Sequence, residues 1–408
     1  CKQSLFRRRF YAESRLCFQL AMHTFYKMAF TDEKTGIFGN IDLIGDNPAL
    51  IMNSRQSKTP VGNDPWIKNT FEAVRYCSEN SIPVIASIGM NTWEFTLWAV
   101  GETGGNAIVL VPSCDKNNFD EAVKNIVDDF GLEFSSHAWV CLGTGSVKGK
   151  KWWHDRDRMA IEISRMIFPV SIRNGGYWDK FLLQNQAGKP IDDNFRLDYE
   201  SGAKRKFKIA SVTKCFPTSD RKYLTHWTSR SYHPWPGEKS ADFYSAIYQS
   251  RDEYARSAEN TLIRILEEGL IRGSGKRIRG GCPVVSFTSL APDKALELMR
   301  WRKRFVRPTF EPFGVAITFE TAEKLGIKPV VYVKSDEPVS GNQPEFQQGY
   351  GIGDWRLENE HRAIGDVDLE KIPRDEIAVL VPSVNSAEKI RERFGLKTIA
   401  LIETAESD

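Results

Sequence analysis

Long hydrophobic runs are missing from this 408-residue chain. Its longest apolar stretches are broken by charge or glycine within about ten positions, against the roughly 20 that a membrane-spanning helix needs. A membrane partner is therefore not expected, and a cytoplasmic protein is. Cysteine is sparse: Cys1, Cys17, Cys77, Cys114, Cys141, Cys215 and Cys282 are scattered, odd in number and without a close pair. That excludes a disulfide framework and zinc-type spacing, and predicts reduced thiols. No apolar signal core accompanies the basic run Arg7-Arg8-Arg9 behind Cys1, which argues against a processed lipoprotein and for a truncated chain. Net charge is small as well, since 56 Lys and Arg face 53 Asp and Glu. A nucleic-acid partner does not follow from net charge alone. Internal repeats and low-complexity tracts are absent.

What is present is a globular balance, 41% hydrophobic and 27% charged, in a chain too long for one core. Two domains are expected. Residues 1–47, with Leu16, Leu20 and Phe25 among polar residues, read as an N-terminal extension forming an opening helix and a loop. Within 48–183, apolar runs at 49–52, 83–88, 107–111, 138–142 and 166–170 alternate with amphipathic stretches at 66–80, 92–102, 119–130 and 156–164. Strands separated by helices predict an α/β domain, a Rossmann-like doubly wound parallel sheet. The polar stretch 184–208 reads as a linker, and 209–408 as an α+β domain with helices at 260–268, 293–302 and 387–394. Charge is uneven there: residues 201–310 hold 22 Lys and Arg against 10 Asp and Glu, while 311–408 hold 11 against 19. Such a division suits a solvated surface, a self-complementary contact in a homo-oligomer, or a basic segment that holds an anionic ligand or nucleic acid.

Ligands of a doubly wound sheet sit beyond the carboxyl ends of its strands. Ser54 and Arg55 follow the first strand, and Gly89 and Thr92 follow the second and open a helix; Arg156 and Arg158 lie at a later helix start. Arg173 with Gly175 and Gly176 ends the last strand. Hydroxyls, guanidinium groups, a free helix N-terminus and a close-approach glycine pair suit a phosphate. In order and type these residues resemble the SLOG superfamily, the Rossmann-like domain shared by DNA-processing protein A and lysine-decarboxylase-like proteins. The resemblance spans about 48–183, with Asp157 where the family's helix start carries Asn. It implies binding of a nucleotide-derived ligand or a nucleic-acid backbone. The nucleotide-cleaving branch carries Pro-Gly-Gly-x-Gly-Thr, which Arg173-Asn174-Gly175-Gly176-Tyr177-Trp178 lacks, so hydrolysis is not expected there.

In the second domain, Tyr223 to Thr228 read as a strand carrying His226 and Trp227, and 260–271 as a helix closed by Gly269. Ser286, Phe287 and Thr288 lie on a hydroxyl-tipped strand, and Glu358 and Glu360 follow later, before a strand-like segment at 364–369. This order resembles the ADP-ribosyltransferase fold, the DarT-like branch in particular, and bacterial proteins of the abortive-infection type, over about 221–385. The resemblance implies NAD as cofactor, held by His226, Trp227, Thr228, Ser286, Phe287 and Thr288. Glu360 would be the catalytic carboxylate with Glu358 as its alternate, and His226 would orient the ribose. It also implies a setting in bacterial stress or phage defence. The runs Lys276-Arg277-Ile278-Arg279 and Arg300-Trp301-Arg302-Lys303-Arg304 are candidates for pyrophosphate or nucleic-acid contact. His361, Asp366 and Asp368 lack a second His in spacing, so no metal is expected. The competing reading is a non-catalytic nucleic-acid-binding protein.

Overall fold

Runs of Ala, Ile, Leu and Val that are buried along their whole length build the first of two units in the computed structural model, which describes residues 36–112, 116–142, 151–184, 188–200, 222–275, 278–299, 301–302, 307–334, 343–350 and 356–401. Cys1–Lys204 with Glu238–Tyr254 form one unit, and Arg205–Gly237 with Ala255–Asp408 the other. Among the described residues no helix is long and apolar enough to cross a membrane.

The first unit holds β1 (Ile37–Gly39), β2 (Ala49–Asn53), β3 (Val84–Ser87), β4 (Ala107–Val111), β5 (Ala138–Cys141), β6 (Met166–Ile172) and β7 (Leu197–Asp198) in the order β1-β5-β4-β3-β2-β6-β7. All neighbours are parallel except the edge strand β1, which runs antiparallel to β5. The described part of the N-terminal extension, residues 36–47, carries β1 and a short helical turn at Ile41–Gly45, and the opening helix expected around Leu16, Leu20 and Phe25 lies outside the described residues. Helices α1 (Pro65–Glu79), α2 (Asn91–Glu102), α3 (Lys116–Phe130) and α4 (Lys151–Ile163) cross between the parallel strands, and α5 (Tyr177–Gln184) follows β6.

Strand alternation sorts the core into two layers. Ala49, Ile51, Val84, Ala86, Val109 and Phe168 face the helices α1 to α3 through Val74, Phe95, Trp98 and Val123. Leu50, Met52, Ile85, Leu110 and Ile167 face the other way, against Met159, Ala160 and Ile163 of α4. Because the chain steps from β2 through β3 and β4 to β5 and then returns to β6 on the far side of β2, a topological switch point opens beside β2. His137 fixes the β4 edge: its Nδ1 accepts the Ala107 N–H at 3.0 Å. Burial pushes this imidazole down to about 4, so it is neutral at pH 7.

A helix from the later sequence completes this unit. In α6 (Ser240–Gln249) and the residues after it, Phe243, Tyr244, Ile247 and Tyr254 enter the core of α1 to α3. Ser240 Oγ donates to Asp129 at 2.5 Å, and Tyr248 stacks on Phe71 at 4.4 Å between centroids.

The second unit carries β8 (Tyr223–Trp227), β9 (Leu270–Ile271), β10 (Val284–Thr288), β11 (Trp301–Arg302), β12 (Arg307–Pro308), β13 (Gly314–Thr318), β14 (Lys328–Pro329), β15 (Val331–Lys334), β16 (Gln347–Tyr350), β17 (Glu360–Ile364), β18 (Val367–Asp368), β19 (Ile377–Val381) and β20 (Lys397–Ala400). Seven of them form a sheet in the order β14-β17-β10-β8-β13-β19-β20, antiparallel except for β19 and β20. With α7 (Ala258–Glu268), α8 (Pro292–Glu297), α9 (Phe319–Lys324) and α10 (Val384–Phe394) it is an α+β arrangement. One face packs Leu224, Val285, Phe287, Val315 and Ala363 on Leu262 of α7 and Ile390 of α10. The opposite face sets Ala316, Ala378 and Leu380 against Leu296 of α8, with Trp227 and Phe310 at its border. The helix expected over 293–302 ends at Glu297, because Trp301 and Arg302 are drawn into a ladder with Arg307 and Pro308.

Candidate functional site

At the switch point of the first unit, the carboxyl ends of β2 and β6 are locked to each other. Ser54 N–H donates to Ser171 O at 2.8 Å, Arg173 N–H donates to Ser54 Oγ at 2.9 Å, and Gln56 Nε2 donates to Ser171 Oγ at 2.9 Å. Ser54, expected as a ligand group, is buried and spent on this lock. The lock leaves Arg55 and Arg173 exposed, one from each strand, with Gly175 and Gly176 following Arg173. Gly175 N–H is satisfied by Asp179 at 2.7 Å.

Gly89 turns the chain between β3 and α2 at φ 90, a value that favours glycine, and a Cβ there would meet the Trp152 ring at 2.9 Å. Its N–H donates to Glu94 Oε1 at 2.8 Å. The second oxygen of Glu94 accepts the Tyr244 hydroxyl at 2.6 Å, tying the glycine turn to α6. Asn91 Nδ2 donates to Ser57 O at 2.7 Å and braces the two loops.

Arg156 is not available to a phosphate. Only 1% exposed, it lies 4.4 Å from the Trp93 ring centroid and 5.3 Å from that of Trp152. Its guanidinium donates to Asp157 Oδ1 at 2.8 Å and to Ile88 O at 3.5 Å. Burial outweighs the partner and pushes the Arg156 pKa below its ordinary value, and likewise raises that of Asp157. Arg156 therefore positions the β3 loop, a correction to its expected role that follows from its burial between two indoles. Arg158 is exposed and pairs with Asp155 at 3.4 Å.

In the second unit, register brings a hydroxyl row together. Thr288 faces Thr225 on one neighbouring strand and Glu360 on the other, and Ser286 faces Arg362. These side chains, with Trp227, Glu358, Phe310 and Gln348, border a cavity of about 450 Å³. Ser286 Oγ donates to Glu360 Oε1 at 2.7 Å. Arg362 spans both carboxylate oxygens, with Nε at 2.8 Å from Oε1 and Nη2 at 3.0 Å from Oε2. A carboxylate offers about four acceptor positions, so these three donors leave one for a ligand. Trp227 stacks on Phe310 at 5.3 Å and 21°, and its buried Nε1–H has no hydrogen-bond partner among the described residues. Glu358 ends a short helical turn, and its carbonyl accepts Thr288 Oγ1 at 2.5 Å.

His226 does not join this group. Alternation along β8 puts Thr225 and Trp227 on the cavity side and turns His226 to the side of Leu224. There its ring meets Phe287 at 5.8 Å, and Nδ1 lies 2.8 Å from Ser286 O. Burial lowers its pKa. The expected partnership of His226 with Glu360 is thus corrected by strand geometry. Phe287 borders the cavity, yet its side chain belongs to the core of the His226 face. Thr228 is also structural: buried, it donates to Ala258 O at 2.9 Å. Sequence reasoning passed over Arg362, Gln348 and Phe310, although Arg362 stands two residues from Glu360 and so shares its face.

Asp366 accepts the Gly273 N–H at 2.7 Å and Asp368 pairs with Lys371 at 2.9 Å. His361 Nδ1 lies 3.1 Å from Asn359 O. Lys276, Arg277, Arg300, Lys303 and Arg304 lie outside the described residues.

No family model matches the chain, and no curated protein does. Among solved structures it is similar to DNA processing protein A from Streptococcus pneumoniae, at 16% identity and a TM-score of 0.30, over 38% of this chain and 53% of that one. A second is DNA processing protein A from Helicobacter pylori, described for its single-stranded DNA binding mode, at 14% identity and 0.29, over 40% and 73%. A third is the molybdenum cofactor carrier protein of Chlamydomonas reinhardtii, at 14% and 0.24, over 36% and 74%. The chain spans about half of the first of these, 53%.

Proposed function

We propose that the first unit is a nucleotide-binding module of the SLOG type, with the ligand's phosphates held between Arg55 and Arg173. The observation that carries this reading is the lock between β2 and β6, in which Arg173 N–H donates to Ser54 Oγ at 2.9 Å and both arginines stay exposed. The lock fixes the backbone on each side of the switch point from which an exposed guanidinium extends to reach a phosphate, and charge-assisted hydrogen bonds of this type contribute about 1.5–3 kcal/mol each. Calorimetric titration with ADP and with a single-stranded oligonucleotide tests it. Arg55→Ala combined with Arg173→Ala is expected to weaken binding at least about tenfold. Titrations that match wild type would discard the reading. Retained oligonucleotide binding that falls steeply with salt, without nucleotide binding, would favour the non-catalytic nucleic-acid reading.

The cavity of the second unit favours a second activity, NAD-dependent ADP-ribosyl transfer with Glu360 as the catalytic carboxylate. Its support is the convergence of Glu360, Ser286, Thr288 and Trp227 on one cavity. Cleaving the bond between nicotinamide and ribose develops positive charge on the sugar. A carboxylate that accepts a ribose hydroxyl stabilises that charge more in the transition state than in the ground state. The indole of Trp227 offers a stacking surface for a ring. His226 has no part in this version. Chromatographic detection of nicotinamide from NAD should show release by wild type and none by Glu360→Gln. A wild-type protein that releases no nicotinamide, with or without nucleotide bound to the first unit, ends the transferase reading.

A further inference from the structure

Beside Arg55, the last residue of β2 points into a recess that the phosphate reading leaves unexplained. Asn53 is 6% exposed and Thr92, in the first turn of α2, is 3% exposed. Together with Trp93 and Trp178 they line a recess of about 10 Å³. Asn53 Nδ2 donates to Thr70 Oγ1 at 2.9 Å, which fixes the amide and leaves Oδ1 as the free end. Neither Asn53 Oδ1 nor Thr92 Oγ1 has a hydrogen-bond partner among the described residues. Two polar oxygens so deeply buried without partners are unusual, and each is costly to leave unmatched.

We propose that this recess is a hydroxyl subsite, and that the ligand of the first unit is a ribonucleoside phosphate. The inference rests on the phosphate reading above and narrows it. A recess of this volume holds one oxygen atom. Asn53 Oδ1 only accepts, so it turns away a phosphate oxygen, which also only accepts. A sugar hydroxyl donates to Asn53 Oδ1 and accepts from Thr92 Oγ–H at once, satisfying both orphans. No charged side chain lines the recess, so neither a cation nor an anion is favoured there. Asn53 ends β2 and Arg55 follows two residues later, at most about 7 Å away along the backbone. That matches the span from a ribose hydroxyl to its 5′-phosphate.

Calorimetric titration of the full chain with ADP and with 2′,3′-dideoxyadenosine 5′-diphosphate tests the subsite. Wild type is expected to bind ADP about tenfold more tightly. Thr92→Val, which keeps the shape and removes the hydroxyl, should lower the ratio severalfold by weakening ADP alone, with the remainder carried by Asn53 Oδ1. Equal affinities in wild type, or a ratio that Thr92→Val leaves unchanged, would overturn the subsite while nucleotide binding stands. Binding of neither diphosphate would instead remove the phosphate reading, and the subsite with it.

Discussion

Gly62→Ala is expected to destabilise the first unit by about 3 kcal/mol, a large effect for one methyl group. The added Cβ would lie 2.0 Å from Ser250 O and 2.3 Å from Tyr248 O. Both are backbone atoms at the end of α6, so no rotamer change relieves the overlap; the loop or the helix end must move. Gly62 N–H donates to Ser250 Oγ at 3.0 Å and Asn63 N–H to Arg251 O at 3.1 Å, bonds that hold the two backbones together. Moving α6 also disturbs Phe243, Tyr244 and Ile247, exposed by only 3%, 3% and 1%. It further pulls the Tyr244 hydroxyl from Glu94, whose other oxygen secures the Gly89 turn. The variant should show a lower urea midpoint and faster thermolysin cleavage within residues 238–254. Wild-type values in both would mean that this segment is not seated as described.

The first unit was largely legible because its strands are buried on both sides and its helices on one. A continuous run such as Ala49 to Met52 therefore stands out from an amphipathic stretch such as Trp66 to Asn80. The carboxyl-end rule then located Arg55, Gly89 and Arg173 from topology alone. Tertiary placement was what the sequence withheld. Arg156 has the residue type of a phosphate ligand, and only the positions of Trp93 and Trp152 turn it into a buried brace. The segment Ser240 to Gln249 spaces Phe243, Tyr244 and Ile247 as a helix would, yet nothing local says that its partner is a core built some 150 positions earlier, at Glu94. In the second unit His226 and Ser286 read correctly as strand residues, whereas the strand-like segment expected at 364–369 begins earlier, with Glu360 opening β17 and a bend at Gly365 before β18. Register and alternation, both non-local or two-sided, decided that the imidazole and the carboxylate part company. The period of two along Thr225, His226 and Trp227 was the signal that could have separated them.

Arg362→Met is expected to cost about 3–5 kcal/mol, because it leaves a shielded carboxylate without its partner. The side chain of Arg362 is 2% exposed and that of Glu360 13%. Arg362 also donates to Glu345 O at 2.5 Å and Gln347 O at 3.3 Å, and to Gln348 Oε1, so β16 and the turn before it lose their anchor as well. Exposed pairs behave differently: Arg75 with Glu72 and Lys294 with Glu297 keep 40% to 64% of their side-chain surface. Breaking either should change stability by under about 1 kcal/mol. Adding Glu360→Gln to Arg362→Met removes the stranded charge, so the double variant should be more stable than Arg362→Met alone. Urea denaturation of the four proteins in this cycle gives the coupling directly. Arg362→Lys should fall between, since one ammonium cannot span both carboxylate oxygens and reach the carbonyls of β16. An Arg362→Met protein within about 0.5 kcal/mol of wild type would show that the pair is solvated, and the rigid carboxylate on which the transferase reading depends would be lost with it.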